Sequence, residues 1–175
     1  MIRGREKFKR YQLIINIICR VFSLFPKKIQ KQLFVWARKK TGYIGLVIRY
    51  VLIKNIAKSI GDNVSIQPDV YIFNPENLII GNNVSIHPLT YIEASGGIVI
   101  GNDVSIAHGV TIMSESHNYL GCDIPIKDQG KSLMPVKIKD NVWIGAKAVI
   151  LGNKVINSGA VIGAGAVVTH DVKEN

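Results

Sequence analysis

Aliphatic residues recur at every sixth position over the last two thirds of this chain, and this period is its strongest pattern. The first series is Ile60, Ile66, Ile72, Leu78; the second is Ile80, Ile86, Ile92, Ile98; the third is Ile100, Ile106, Ile112; and the last is Ile138, Ile144, Ile150, Ile156, Ile162, Val168. A period of six fits neither an α-helix nor simple strand alternation, so it indicates a repeated supersecondary unit. The phase moves by two residues after Leu78 and again after Ile98.

Gly, Asn, Asp and Ser fill most positions between these markers, with a small or β-branched residue four places after each one. Such a hexad predicts a short strand followed by a tight turn, because Val and Ile favour strands while Gly and Asn tolerate positive φ. Three hexads close a triangular coil of about 18 residues, and stacked coils form a parallel β-helix. The predicted coils are 60–79, 80–99, 100–117, 138–155 and 156–173, with a protruding loop at 118–137. The spacing alone leaves the handedness open.

One hexad departs from the pattern. Lys154 occupies a position where the other late hexads carry Val142, Ala148, Ala160 and Ala166. We therefore expect a bulge or a change of register at Lys154.

Charge divides the chain into two regions. Residues 1–58 contain 15 Lys or Arg and one acid, Glu6, whereas residues 59–175 contain 7 Lys or Arg and 11 acids, so the two regions carry +14 and −4 of the net +10. The basic character therefore belongs to a separate N-terminal segment, and we expect residues 59–175 to form the β-helix domain.

The N-terminal segment predicts amphipathic helices. Its first apolar run, residues 13–25, contains Asn16 and Arg20 and stops at Pro26, so it is too short and too polar for a confident transmembrane span. Two further helical patterns carry apolar stripes: Lys27–Lys40 with Ile29, Leu33 and Trp36, and Tyr43–Lys58 with Leu46, Tyr50 and Ile53. The segment either closes the first coil as a helical cap or rests on an anionic membrane surface. Nucleic-acid binding is disfavoured, because no recognition motif accompanies the charges.

The two cysteines, Cys19 and Cys122, lie far apart and form no CxxC pair. No disulfide framework is expected, so the cytoplasm, including the inner face of its membrane, is the expected compartment. Cys122 is an alternative nucleophile, although no base stands near it in sequence.

Three segments resemble the hexapeptide-repeat acyltransferases, especially the galactoside, maltose and polysaccharide O-acetyltransferases. They are Asn141-Val142-Trp143-Ile144-Gly145-Ala146, Val161 to Thr169 with its Gly163-Ala164-Gly165-Ala166 centre, and His117 before the loop. The resemblance covers residues 60–173. It implies an all-β fold, namely a left-handed β-helix, against the usual right-handed crossover. It also implies a homotrimer that binds acetyl-CoA and an acceptor between subunits.

His117 matches the general base of those families. A near-neutral imidazole can take the proton of a sugar hydroxyl as its oxygen attacks a thioester, without a covalent enzyme intermediate. The group that orients the imidazole stays open among Glu115, Glu93, Ser95 and a backbone carbonyl.

The acceptor site is expected around the loop and the preceding coil, and Glu93, Ser95 and Glu115 are also candidate acceptor-binding residues. His87 stands where galactoside-type enzymes carry an acceptor-binding Asn, which is a departure from their pattern. Loop residues Tyr119, Asp123 and Asp128 are candidates for its polar wall, because long loops in repeat arrays usually carry function. His108 is an outward position with a weaker claim.

The resemblance assigns the acetyl-CoA site to late coils. Trp143 would wall the pantetheine and acceptor tunnel, and the pantetheine arm would run along the small residues Gly145, Ala146, Gly163, Ala164 and Thr169. His170 stands where relatives often have Lys. Lys147, Lys154 or Lys173 would then bind the phosphates of the CoA nucleotide.

These features favour an acetyl-CoA-dependent O-acetyltransferase acting on a sugar or glycan precursor in capsular or lipopolysaccharide-type biosynthesis. Two alternatives stay open: acetylation of a sugar amine or an antibiotic hydroxyl, and a non-catalytic β-helix assembly module. The γ-type carbonic anhydrases share the fold, but their zinc-binding histidines five residues apart have no counterpart, since Cys122 follows His117 at that distance. No metal is expected.

Overall fold

The computed structural model describes residues 4–121 and 123–175. Helices α1 (Gly4–Ser23), α2 (Lys27–Ala37) and α3 (Gly42–Ile56) come first, and every later element is a short strand or a single turn of 3₁₀ helix. The strands wind into a parallel, left-handed β-helix with three flat faces, as the sixfold ladder and the family resemblance predict.

Each face is a five-stranded parallel sheet. Face A contains β1 (Ser59–Ile60), β4 (Leu78–Ile80), β7 (Ile98–Ile100), β12 (Val136–Ile138) and β15 (Val155–Ile156). Face B contains β2 (Ser65–Ile66), β5 (Ser85–Ile86), β8 (Ser105–Ile106), β13 (Trp143–Ile144) and β16 (Val161–Ile162). Face C contains β3 (Tyr71–Phe73), β6 (Tyr91–Glu93), β9 (Thr111–Met113), β14 (Val149–Ile150) and β17 (Val167–Val168).

The aliphatic ladder fills the interior of this prism. Ile66, Ile86, Ile106 and Ile144 stack on one another through face B and are fully buried. The two-residue phase shifts arise on face A, where both ends of a three-residue strand point inward; Leu78 and Ile80 are an example. Residues i and i+2 of a strand share one side, so each such strand contributes two markers.

Asparagine builds the corner between faces A and B. Asn63, Asn83 and Asn141 all have φ near +55°, a conformation that Asn tolerates better than most residues. The side chains also bond from coil to coil: the Asn63 Nδ2 donates to Asn83 Oδ1 at 3.1 Å. These positions therefore serve the turn and the stacking of the coils.

The register is regular at Lys154, so the predicted bulge there is wrong. Lys137 pairs with Val155 and Ile138 with Ile156, and the Lys137 amide donates to the Lys154 carbonyl at 2.9 Å. The last coil leaves Lys154 half-buried, and its Nζ turns back to the carbonyl of Asn153, so the backbone needs no adjustment.

The N-terminal helices close the first coil, which was one of the two expected roles. Helix α3 contacts β1 and β2, and its Ile53 and Ile56 join the same hydrophobic core as the prism ladder. The buried Arg49 guanidinium donates to the carbonyl oxygens of Ile66 at 2.7 Å and Ala37 at 3.0 Å. Arg49 thereby ties α2, α3 and the first coil together.

Two of the three residues of the predicted α2 stripe face outward, while Leu33 is partly buried against the core. Gln30, Phe34 and Ala37 are the buried residues of α2, while Ile29 and Trp36 are exposed. The stripe of α3 is oriented as a packing stripe, since Tyr50 and Ile53 are buried. In the described part of the chain, no helix is long and apolar enough to cross a bilayer.

Candidate active site

A two-stranded arm leaves the prism at the corner between faces C and A of the third coil. Its strands are β10 (Glu115–His117) and β11 (Lys131–Leu133), which pair in antiparallel fashion. The excursion therefore begins before residue 118, the predicted start. It also ends before 137, because Val136 already pairs with Ile98 on face A. The spacing placed the end too late because it counted only Ile138, whereas Val136, two residues earlier, is also an inward residue of β12.

Ser114 anchors the base of the arm. Its buried hydroxyl donates to the Glu93 carbonyl at 2.8 Å and accepts from the Gly96 amide at 2.9 Å. Its carbonyl accepts from the Met134 amide at 2.7 Å, which joins the two ends of the excursion. The arm is thus attached through hydrogen bonds to the coil that carries Glu93.

His117 lies on β10 directly opposite Lys131. Glu115 is on the same side of this strand, two residues earlier, and its carboxylate accepts a hydrogen bond from the Lys131 ammonium. This hydrogen bond lowers the pKa of Glu115, and the charges of Lys131 and His117 act in the same direction. The Lys131 pKa is raised, first by the hydrogen bond to Glu115. Sequence reasoning missed Lys131, because antiparallel pairing across a 13-residue gap leaves no sequence signal.

Glu93 lies buried beside the arm with one carboxylate oxygen committed and one free. Its Oε1 accepts from the Asn74 Nδ2 at 3.0 Å, from the Ser95 amide at 2.8 Å and from the Ser95 hydroxyl. Only 8% of Glu93 is exposed, and Oε2 has no hydrogen-bond partner among the described residues. Lys131 is close enough for the charge of Glu93 to raise its pKa. A buried acceptor without a partner is rare, and it indicates a place for a donor from a ligand or another side chain.

The outer part of the arm is shaped by amide side chains. The Gln129 Nε2 donates to the carbonyls of Gly121 at 2.7 Å and Ile124 at 2.9 Å, and the Ser132 hydroxyl donates to Asn118 Oδ1 at 2.6 Å. The predicted wall residues Tyr119, Asp123 and Asp128 are all exposed on this part of the arm. Cys122 lies outside the described residues.

A second group of candidates lies at a different corner, between faces B and C. Backbone hydrogen bonds join this corner from coil to coil: the His87 amide donates to the Ile106 carbonyl, the Ala107 amide to the Ile144 carbonyl and the Gly145 amide to the Ile162 carbonyl. Each donor follows an inward Ile, as Gly163 follows Ile162, so His87, Ala107, Gly145 and Gly163 form one column. Ala146, Ala164 and the exposed His108 occupy the next position of the same corner. Trp143, 55% exposed, stands on face B just before it.

All of face C separates this second corner from His117 and Glu93 in one chain. His117, Glu93, Ser95 and Glu115 therefore lie at the same corner, between faces C and A, whereas His87 and Trp143 lie on or beside face B. Thr169 and His170 return to the corner between faces C and A at the last coil, where the Thr169 hydroxyl lies 2.9 Å from the His170 Nδ1.

The two glycines of the second corner have different surroundings. A Cβ on Gly145 would lie 2.6 Å from the Ala164 nitrogen, so this glycine is required by the stacking of coils. A Cβ on Gly163 would meet no atom within 4 Å, and Ala164 beside it is exposed. Open backbone for a ligand is thus present at Gly163 and Ala164, while Gly145 is covered.

Over residues 4–121 and 123–175, no group of three or more His, Cys, Asp and Glu side chains is placed to hold a metal ion.

Comparison with known proteins gives consistent matches. The profile of bacterial transferase hexapeptide (six repeats) matches residues 135–170. The galactoside O-acetyltransferase of Escherichia coli K12 is 33% identical over 128 residues, which are 73% of this chain and 62% of that protein. The chain thus spans less than two thirds of the length of the curated relatives that it matches.

Two solved structures share the fold. A maltose O-acetyltransferase from Clostridium difficile 630 superposes with a TM-score of 0.72 and 26% identity, over 85% of this chain and 78% of that one. A hexapeptide-repeat acetyltransferase from Vibrio cholerae, crystallised with acetyl coenzyme A, gives a TM-score of 0.71 at 22% identity, with the same coverage.

Proposed function

We propose that this chain, which belongs to the hexapeptide-repeat transferases, is an acetyl-CoA-dependent O-acetyltransferase whose acceptor is a sugar hydroxyl in surface-polysaccharide biosynthesis. The observation that carries the proposal is the position of His117 beside Lys131 and Glu115, on an arm that is anchored through Ser114 to the coil where Glu93 is buried with one free oxygen. The similarity to a galactoside O-acetyltransferase of E. coli and a maltose O-acetyltransferase of C. difficile supports a sugar as the acceptor.

In this mechanism, His117 acts as the general base. Its imidazole takes the proton of the acceptor hydroxyl while the hydroxyl oxygen attacks the thioester carbonyl of acetyl-CoA. The tetrahedral intermediate then collapses, the carbon–sulfur bond breaks, and the imidazolium returns the proton to the leaving sulfur. The products are the acetyl ester and free CoA.

Glu93 and Ser95 are the best-supported acceptor-binding residues. The Oε2 of Glu93 has no hydrogen-bond partner among the described residues, so a small local opening would let it accept from a sugar hydroxyl. Glu115 is held by Lys131 at the same time, so it is positioned beside His117 as an electrostatic partner. The exposed Tyr119, Asp123 and Asp128 would contact only a larger acceptor that extends along the arm.

The acetyl-CoA site is proposed at the corner of Gly163 and Ala164, with Trp143 beside it on face B. The open backbone at this corner fits an extended pantetheine arm, because no side chain would prevent its approach. Thr169 and His170 lie one corner further along the last coil. The exposed Lys147 follows Ala146 at the corner between faces B and C, so it is the proposed candidate for a phosphate.

A homotrimer is part of the proposal, since one chain does not complete the site. His117 and Glu93 lie at one corner, while Trp143, Gly163 and His87 lie on or beside face B. Packing the corner between faces C and A of one subunit against face B of the next would bring the two groups together.

A thiol-release assay with acetyl-CoA tests the function against a panel of sugars, nucleotide sugars, amino sugars and antibiotic alcohols. We expect turnover with a sugar hydroxyl, and His117→Ala should lower kcat by at least about 100-fold while acetyl-CoA binding persists. Lys137→Ala, at an exposed residue in the middle of a face A strand, is the control. Full turnover by His117→Ala would disprove the assignment of the base, and preferred acetylation of an amine or an antibiotic would disprove the acceptor class.

A further inference from the structure

Helix α1 has two apolar faces, of which only one is used for packing. Ile15 is buried and Phe8, Ile18, Cys19 and Phe22 are partly buried against the core. On the other side of the helix, large apolar side chains are exposed to solvent. They are Leu13 (74% exposed), Ile14 (55%), Ile17 (54%), Val21 (51%) and Leu24 (83%). Leu13 and Ile14 each lie three or four residues before Ile17, and Val21 and Leu24 continue that spacing to the residue just after the end of α1, so the five side chains form one continuous stripe.

Helix α3 extends this apolar surface. A groove of about 330 Å³ between α1 and α3 is lined only by Ile18, Phe22, Tyr43, Ile44, Val47, Ile48 and Val51. The α3 residues of the groove lie on the opposite side of that helix from Arg49 and Ile53, which face the prism. The groove is therefore on the outer end of the molecule, and its rim includes Tyr43 (74% exposed) and Ile44 (78%).

The same helices carry most of the positive charge of the protein. Residues 1–58 contain 15 Lys or Arg against Glu6 alone. Three of these cations are bound to acidic groups of the prism: Arg5 to Asp103, Lys31 to Glu76 and Lys54 to Asp62. Lys9, Arg20, Lys28 and Lys39 are exposed. Exposed apolar side chains and exposed cations thus both occur on the N-terminal helical region.

We infer that this surface, comprising the outer stripe of α1 and the groove with α3, docks on an anionic lipid bilayer. Exposed aliphatic side chains would enter the interface between headgroups and acyl chains, and the surrounding Lys and Arg would bind acidic headgroups. Because no described helix can cross a bilayer, the contact is with one leaflet. A second copy of this chain is a poorer occupant, since its cap would bring another +14 charges to the same contact.

The inference does not depend on the transfer reaction, and its test uses the full chain with vesicles. In a flotation assay, we expect the protein to bind vesicles of phosphatidylcholine with 30% phosphatidylglycerol. Binding to pure phosphatidylcholine should be much weaker, and added salt should reduce binding to the anionic vesicles.

Two pairs of variants separate the apolar and the electrostatic parts. Leu13→Ser/Leu24→Ser should weaken binding about ten-fold or more, and Val99→Ser, on exposed face A, is its control. Lys9→Gln/Lys28→Gln should weaken binding about five-fold for each charge removed, with Lys137→Gln/Lys139→Gln on the prism as the control. Turnover with a water-soluble acceptor should stay unchanged in all four.

Two results would overturn the inference. One is equal binding of the wild type to neutral and anionic vesicles, or no binding to either. The other is a fall in the sedimenting mass of the protein, without lipid, when Leu13 and Leu24 are replaced, because that would make the stripe a contact between copies of the chain.

Discussion

Lys131 lies directly opposite His117 in the antiparallel arm, and its ammonium group bonds to the Glu115 carboxylate on the strand that carries His117. The arm thus places one cation and one anion beside the proposed base. Neither residue belongs to the repeating ladder, so the charge environment of His117 is set by the excursion and not by the prism.

Replacing Lys131 with Met should raise the pKa of Glu115 towards its ordinary value, because the hydrogen bond and charge of Lys131 lower it. The acidic limb of the kcat/KM profile should then move to higher pH, since an unpaired carboxylate beside an imidazole favours its protonated form. At neutral pH we expect a loss of no more than about ten-fold. Lys131→Arg should restore the wild-type profile, whereas identical profiles for all three proteins would show that Lys131 has no influence on the base.

The ion pair between Lys131 and Glu115 should also make the stability of the fold depend on pH. A carboxylate with a lowered pKa stabilises the folded state above its ordinary pKa, about 4.3. That contribution is lost as the pH falls through the lowered value. The Tm difference between the wild type and Lys131→Met should therefore be present at neutral pH and vanish in strong acid. A constant difference across this range would mean that the variant acts through packing of the lysine stem.

Glu93→Gln tests the free carboxylate oxygen. The amide oxygen can keep the bonds to Asn74 and Ser95, while the NH₂ group replaces Oε2 and presents donors where the carboxylate accepts. We expect kcat/KM for the acceptor to fall by about 10- to 100-fold, with Tm nearly unchanged. Glu76→Gln, at an exposed carboxylate bonded to Lys31, is the control. Normal acceptor kinetics in Glu93→Gln would exclude Oε2 from acceptor binding.

The ladder of aliphatic residues predicted the prism correctly, because each short strand needs an apolar side chain that points inward and this requirement is visible in the local sequence. The arm was harder to predict, since its pairing of Glu115 with Leu133 joins residues without a common period. Helix α2 shows a second limit of the sequence prediction. The spacing of Ile29 and Trp36 indicates an apolar side of the helix, but it does not show whether that side packs against the protein or faces solvent, and both residues are exposed. Glu93 was a candidate by its distance in sequence, yet its free oxygen follows only from the bonds of Asn74 and Ser95.

Complementation between two inactive variants tests whether neighbouring subunits share the site. His117→Ala and Trp143→Ala damage different corners, so a mixed trimer would contain some interfaces with an intact His117 and an intact Trp143. With random assembly of equal amounts, about one quarter of the sites should be intact. Activity of co-expressed variants should therefore rise well above that of either alone. If each chain held a complete site, every site would keep one lesion and the mixture would stay inactive.

Gly145 and Gly163 form a matched pair that separates coil stacking from ligand contact. In Gly145→Ala the new methyl group would lie 2.6 Å from the Ala164 nitrogen, so the coils must shift, and we expect a loss of about 1–3 kcal/mol in the free energy of unfolding. In Gly163→Ala the methyl group enters open space, and stability should be unchanged or rise by up to about 1 kcal/mol. The same methyl group would obstruct a pantetheine arm lying on this backbone, so the KM for acetyl-CoA should rise several-fold in Gly163→Ala alone. Chemical denaturation and acetyl-CoA kinetics on both variants measure the two effects. An unchanged KM in a stable Gly163→Ala protein would move the pantetheine path away from this corner.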